Sequence, residues 1–213
     1  DTRKRYVAVG VGSRNRMFQQ ALWGPHKAHG ELIAACDVNP GRLDYVAQQA
    51  IKAGVKPPKP YLAADFDKML RALKPDAVIV TTPDAFHDDY VVRALDAGCD
   101  VITEKPMTTT AEKAQRILDA VKRSGRHIRV TFNYRYSPFR SQVKELLMSG
   151  EIGDVLSVDF QWLLNTVHGA DYFRRWHRYK DKSGGLLVHK STHHFDLMNW
   201  WVGSTPRKVM ATG

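Results

Sequence analysis

The sequence holds only two cysteines, Cys36 and Cys99, among 213 residues. Two thiols cannot build the disulfide framework of a small secreted scaffold or a cysteine-based zinc site. Both stand in apolar surroundings and are read as small core residues. Long hydrophobic runs are missing too, since no stretch approaches the roughly 20 apolar residues that a membrane-spanning helix needs. Residues 1–5 are polar and charged and hold no hydrophobic signal core. The chain opens on Asp1 rather than Met, so the expected cytoplasmic setting leaves open periplasmic export followed by loss of a signal. Low-complexity tracts and short-period repeats are lacking, and 43% apolar with 10% aromatic residues exclude disorder.

Negative charge is in the minority, with 22 Asp+Glu against 32 Lys+Arg and a formal net charge of +10. Such an imbalance raises the question of nucleic acid or an anionic surface. The basic residues are nevertheless spread among acidic ones. The one dense cluster, Arg174, Arg175, His177, Arg178, Lys180 and Lys182, falls in a late aperiodic stretch. Neither nucleic acid nor membrane is expected as a partner, and an anionic small molecule fits better.

What is present is a repeated alternation of short apolar runs with amphipathic helical patterns, the signature of an α/β fold built on a parallel sheet. Strands are expected at 6–9, 31–36, 77–80, 100–103 and 128–132. Helices are expected at 16–23, 39–54, 65–73, 87–97 and 110–122, with the proline-rich piece 56–60 as a connecting loop. Asn39 and Pro40 open the second helix, and Gly54 closes it. This makes residues 1–132 a doubly wound, dinucleotide-binding domain of ordinary size.

After Ser137-Pro138 the texture changes. A helix is expected over 138–148, a half-buried strand over 154–164, an aperiodic functional loop over 165–185, a helix over 191–201 and a strand over 207–212. Two strands and two helices cannot bury a sheet face alone. Residues 133–213 therefore read as the first part of a second α/β domain, cut short.

Gly10, Gly12, Ser13, Arg14 and Asn15 lie between the first strand and the first helix, where glycines let the backbone approach a pyrophosphate at a helix N-terminus. Asn15 takes the place of the third glycine. Asp37 ends the second strand, where an acidic residue accepts hydrogen bonds from the adenosine ribose. This pattern favours NAD, while Arg14 and Arg42 keep NADP open. The carboxyl ends of later strands, where open parallel sheets bind ligands, carry Thr81-Thr82-Pro83 and Glu104-Lys105-Pro106.

Taken in order, Gly-x-Gly, Thr-Thr-Pro followed by His87, Glu-Lys-Pro, Asn133-Tyr134-Arg135-Tyr136-Ser137-Pro138 and Gly150-Glu151-Ile152-Gly153 resemble the glucose-fructose oxidoreductase, inositol dehydrogenase and MocA (Gfo/Idh/MocA) family over essentially the whole chain. The resemblance implies an NAD(P)-dependent sugar or polyol dehydrogenase. It implies a Rossmann domain followed by an α/β domain whose open, mostly antiparallel sheet supports homo-oligomers of the full-length protein. It also implies that Lys105 is catalytic, and that Thr81, Thr82, Pro83, His87, Glu104, Lys105 and Asn133 surround the cofactor with the glycine loop. An ammonium beside a reacting C–O bond can stabilise a developing alkoxide and pass its proton on.

The family pattern also places an Asp after a Gly-Gly pair, and four residues later a His that is followed at its third position by another Asp. His193 and Asp196 match the last two, which makes His193 the candidate general base. His189 stands where the first Asp is expected. His189 and His193 also have the i, i+4 spacing of metal ligands, with His168, Asp171 or Asp196 as a third. That reading is the less favoured, and no metal is expected. Tyr134, Arg135, Trp162, Arg174, Trp176, His189, Lys190 and His194 complete the candidate substrate residues, since aromatics and cations together suit a sugar ring or an anionic substituent. Two alternatives stay open: a glycoside hydrolase acting by transient oxidation and elimination, and a cofactor-binding protein without catalysis.

Overall fold

A computed structural model describes residues 3–212, the side chain of Asp171 excepted. Six strands, β1 (Lys4–Val9), β2 (Gly30–Asp37), β3 (Lys59–Leu62), β4 (Ala77–Val80), β5 (Asp100–Glu104) and β6 (Ile128–Thr131), form one parallel sheet in the order 3-2-1-4-5-6. The order reverses between β1 and β4, which opens a crevice above their carboxyl ends. Helices α1 (Arg16–Trp23), α2 (Pro40–Lys52), α3 (Phe66–Leu73), α4 (His87–Asp96) and α5 (Ala111–Ser124) connect the strands.

Side chains alternate across each strand, so the sheet has two buried faces. Val7 and Val9 join Val78, Val80, Phe66, Met69, Leu95 and Ile117 on one face. Ala8 joins Leu32, Ala35, Leu43, Val46 and Ile79 on the other. Cys36 and Cys99 are buried, as expected. Asn39 caps α2 by accepting from Gly41 N at 2.9 Å, and Gly125, at φ +66°, closes α5.

The segment expected to be a plain connection, 56–60, runs into β3, which pairs with β2 from Lys59 to Leu62. Pro60 tolerates this because β3 is an edge strand with a free side.

The second part departs from expectation more. Helices α6 (Pro138–Ser149) and α11 (Thr192–Val202) form and pack together. Trp201 Nε1 donates to Arg140 O at 3.0 Å, and Lys144 Nζ donates to Trp201 O at 3.2 Å. The expected strands at 154–164 and 207–212 join no ladder among the described residues. An alternating pattern needs a neighbouring strand to supply its hydrogen bonds and covered face. Here Leu156 and Leu163 are 94% and 95% exposed. The aperiodic stretch folds into one-turn helices, α7 (Thr166–Gly169), α8 (Asp171–Arg174) and α9 (Lys180–Ser183), followed by α10 (Leu186–His189). No helix among the described residues is long and apolar enough to cross a membrane.

Candidate active site

The crevice above β1 and β4 widens into a cleft of about 650 Å³, within the size range of small-molecule sites. Its near end is the turn after β1. Gly10 has φ +79°, and a Cβ there would stand 2.6 Å from Thr82 N, so only glycine fits this crossing of two loops. At Gly12 the nearest groups to an added Cβ are the Arg42 guanidinium atoms, 3.8 Å away, which leaves open space for a phosphate beside a cation. Ser13, Arg14 and Arg42 line the same end.

Asn15 is fully buried and does different work from a glycine. Its Nδ2 donates to Thr81 Oγ1 at 2.9 Å, its Oδ1 accepts from Gln19 Nε2 at 2.9 Å, and Thr81 Oγ1 donates to Gly10 O at 2.6 Å. Asp37, buried at the end of β2, accepts from Val11 N at 2.8 Å and Asn39 N at 2.9 Å, with Arg42 Nη1 3.6 Å from its Oδ2. Asn15 and Asp37 thus shape the cofactor loop from beneath, while Gly10, Gly12, Ser13 and Arg14 line the cleft.

Across the switch point, Thr81, Thr82, Pro83 and His87 follow β4, and Glu104 and Lys105 follow β5. His87 holds the two loops together, Nδ1 2.9 Å from Pro106 O and Nε2 2.9 Å from Thr82 O. Glu104 is buried, accepts from Thr131 Oγ1 at 2.7 Å and pairs with Arg14 at 3.0 Å. Lys105 Nζ donates to His189 O at 2.6 Å. Burial pushes its ammonium down to about 8, Lys190 adds to the shift, and Asp84 opposes it.

The far wall comes from the second part of the chain. Asn133, Tyr134, Trp176, His189, Lys190 and His193 reach the cleft. His193 lies flat on the Tyr134 ring, centroids 3.9 Å apart, and its Nδ1 is buried without a hydrogen-bond partner. Burial, with Lys105 and Lys190 nearby, pushes its imidazole down to about 3. Lys190 is buried, with Nζ 3.0 Å from the Tyr134 hydroxyl and 3.3 Å from His168 Nε2.

Besides Asn15 and Asp37, four substrate candidates stand outside the cleft lining. Arg135 is clamped to Asp196, its Nε donating to Oδ2 at 2.8 Å and its Nη2 to Oδ1. Asp196 therefore braces Arg135 rather than His193. Trp162 and His194 pack on each other, centroids 4.6 Å apart, and Arg174 is exposed at the end of α8. Its neighbour Arg175 lines the cleft instead, with Tyr172, His168 and His177. The turn of helix that would align His189 and His193 is broken, because α10 ends at His189 and α11 starts at Thr192. Among the described residues, no three His, Cys, Asp or Glu gather for a metal; the Asp171 side chain lies outside them.

Sequence reasoning passed over Asp84. It sits one residue after Thr-Thr-Pro, 3% exposed, with Oδ2 2.5 Å from His189 Nδ1. Its position at the carboxyl end of β4 was the available signal. Burial pushes its carboxyl up to about 7, against the pull of His87 and Lys105.

The family models that match are the oxidoreductase family's NAD-binding Rossmann fold, over residues 4–132, and that family's C-terminal alpha/beta domain, over 144–213. The chain belongs to the Gfo/Idh/MocA oxidoreductase family. Its first part is an NAD-binding Rossmann domain. Over 99% of its length it is 44% identical to YteT of Bacillus subtilis, a protein that carries an oxidoreductase name, and it covers 49% of that protein. It is 27% identical to an inositol 2-dehydrogenase of Rhizobium meliloti, over 98% of this chain and 58% of that one. Among solved structures, scyllo-inositol dehydrogenase of Lactobacillus casei with NAD(H) and scyllo-inositol matches 94% of this chain and 56% of its own, at 25% identity and TM-score 0.75. The WlbA dehydrogenase of Bordetella pertussis, in complex with NADH and UDP-GlcNAcA, matches 95% and 58% at 26% identity and TM-score 0.76. The chain thus spans about half the length of the relatives it matches.

Proposed function

We propose that the protein is an NAD(P)-dependent dehydrogenase that oxidises a secondary alcohol of a sugar, polyol or sugar derivative. The observation that carries this reading is one continuous cleft with a glycine loop fitted for a pyrophosphate at one end and Lys105 among histidines at the other. Residues 1–132 form the cofactor domain and 133–213 contribute the substrate wall.

The dinucleotide's phosphates belong on Gly10, Gly12, Ser13 and Arg14, and its ribose near Asp37. Thr81, Thr82, Pro83, His87, Glu104 and Asn133 belong around the nicotinamide. The open space at Gly12 and the cation of Arg42 fit that assignment. When bound, the nicotinamide supplies the hydride acceptor, which no side chain can be. Lys105 holds the reacting oxygen: its ammonium donates a hydrogen bond that stabilises the alkoxide as the hydroxyl proton leaves to a base. His193 contacts the substrate from the Tyr134 side. Lys190 and Arg175, on the same wall, favour a substrate with a carboxylate or other anionic group.

Three of the relatives described above carry dehydrogenase names, which supports net oxidation over glycosidic cleavage. The test is cofactor reduction, followed at the nicotinamide absorbance, with NAD or NADP and a panel of inositols, methyl glucosides and uronates. Reduction by at least one member is expected. Tight cofactor binding with no reduction by any member would remove this reading, and free sugar released without net reduction would replace it with hydrolysis.

A further inference from the structure

We propose that Asp84 and His189 form a carboxylate–imidazole couple that accepts the proton of the substrate hydroxyl, with His189 as the catalytic base and Asp84 as its positioning residue. The inference rests on the dehydrogenase reading and assigns a step that Lys105 and His193 leave open. Oxidation of an alcohol releases two groups. The C–H electron pair leaves as hydride to the nicotinamide, the O–H proton leaves to a base, and the C=O bond forms between them.

The cleft offers two imidazoles for that proton. Lys105 and Lys190 face both rings, and His193 is the poorer receiver, because its ring lies against Tyr134 and its Nδ1 has no partner to offset the two lysines. His189 is differently equipped. Its Nδ1 stands 2.5 Å from Asp84 Oδ2, and its side chain is 12% exposed on the cleft wall. Nδ1 is committed to Asp84, so the chemistry of this ring belongs to Nε2. A proton gained at Nε2 makes an imidazolium that the Asp84 carboxylate stabilises, the arrangement by which a carboxylate fixes tautomer and charge in other hydrolytic and redox sites. Lys105 adds geometry, since its Nζ is bonded to the backbone carbonyl of His189 and keeps ammonium and imidazole at one spot.

The groups facing the couple are Lys105 beyond β5, Lys190 next to His189 in the chain, His87 and Glu104 near Asp84, and the Tyr172 and His177 rings of the α8–α9 region. Burial pushes the Asp84 carboxyl up to about 7, and burial with the two lysines pushes the His189 imidazole down to about 3. Both shifts oppose charge in the couple, so one proton added near neutrality is shared between them.

The experiment uses the full chain, NAD and the sugar of the panel that turns over fastest. Asp84→Asn, nearly isosteric, and His189→Gln are each expected to lower kcat by about a hundredfold and to remove the limb of the pH–rate profile near neutrality, with KM and the NAD dissociation constant within about threefold. Turnover and pH profile unchanged in both variants, with His193→Gln inactive, would overturn the assignment in favour of His193. A readout without turnover accompanies it. In 15N-histidine-labelled protein, the imidazole signal lost in His189→Gln is expected to titrate near neutrality and to lose that titration in Asp84→Asn. Indifference of that signal to Asp84→Asn also overturns the couple. Should no sugar reduce bound NAD, the dehydrogenase reading fails, while the nitrogen titration still decides whether the couple holds the proton.

Discussion

Gly10 shows how much of this site depends on one missing carbon. Its φ of +79° and the 2.6 Å that an added Cβ would leave to Thr82 N make Gly10→Ala both strained and obstructed by backbone. We expect a stability loss of about 1–3 kcal/mol and at least a tenfold weaker NAD affinity, read by thermal unfolding and calorimetric titration. An unchanged affinity would mean that the cofactor lies elsewhere. The thiols offer a second residue-level test. Burial raises both above the ordinary thiol range, Cys36 to about 12. Neither should react with a thiol reagent in the native protein, and both should react after unfolding, as counted by absorbance. At this scale the sequence was informative wherever a residue type has one job. The position of Gly10, Glu104 and Lys105 on the cleft was legible from their place after strands. Asp84 was not, because a carboxylate beside a proline is common and its partner is 105 positions away.

The elements of the first domain were legible because each carries its own instructions. Buried apolar runs gave β4, and caps and glycines gave the ends of α2 and α5. The edge strand β3 was not, since proline and lysine hide a strand that needs partners on one side only. In the second part, alternation over 154–164 predicts a strand, and alternation alone cannot supply a neighbour. What orders this part instead is the pairing of α6 with α11, tied through Arg140, Lys144 and Trp201, and the clamp of Arg135, just ahead of α6, on Asp196 of α11. Asp196→Asn weakens that clamp from a charge-assisted to a neutral one. About 1–2 kcal/mol of stability should be lost, with NAD affinity unchanged, as measured by urea unfolding and by titration. Loss of cofactor binding in this variant would show that Asp196 reaches the cleft after all.

For the whole molecule, a buried imidazole sets a pH dependence. His193 stays neutral in the fold down to about 3, whereas unfolded histidines titrate near 6.5. Unfolding below that value takes up a proton, so this residue lowers stability as pH falls from 7 to 5. The Asp84–His189 couple takes up its first proton near neutrality, much as an unfolded histidine does, and so adds little to the slope. His193 leaves a net loss on acidification, of the order of 1.4 kcal/mol per pH unit for one proton. Urea midpoints at pH 5, 6 and 7 should fall with pH, and His193→Gln should flatten the slope. An unaltered slope in that variant would show that the imidazole is charged in the fold.

Asn15 closes off one tempting route of redesign. A protein engineer restoring the glycine pattern would write Asn15→Gly, expecting to regularise the loop. Here that change would strand the Gln19 amide in the interior, free the Thr81 hydroxyl that reaches back to Gly10, and loosen both loops at once. In this chain, agreement with the consensus and integrity of the cofactor cradle pull in opposite directions.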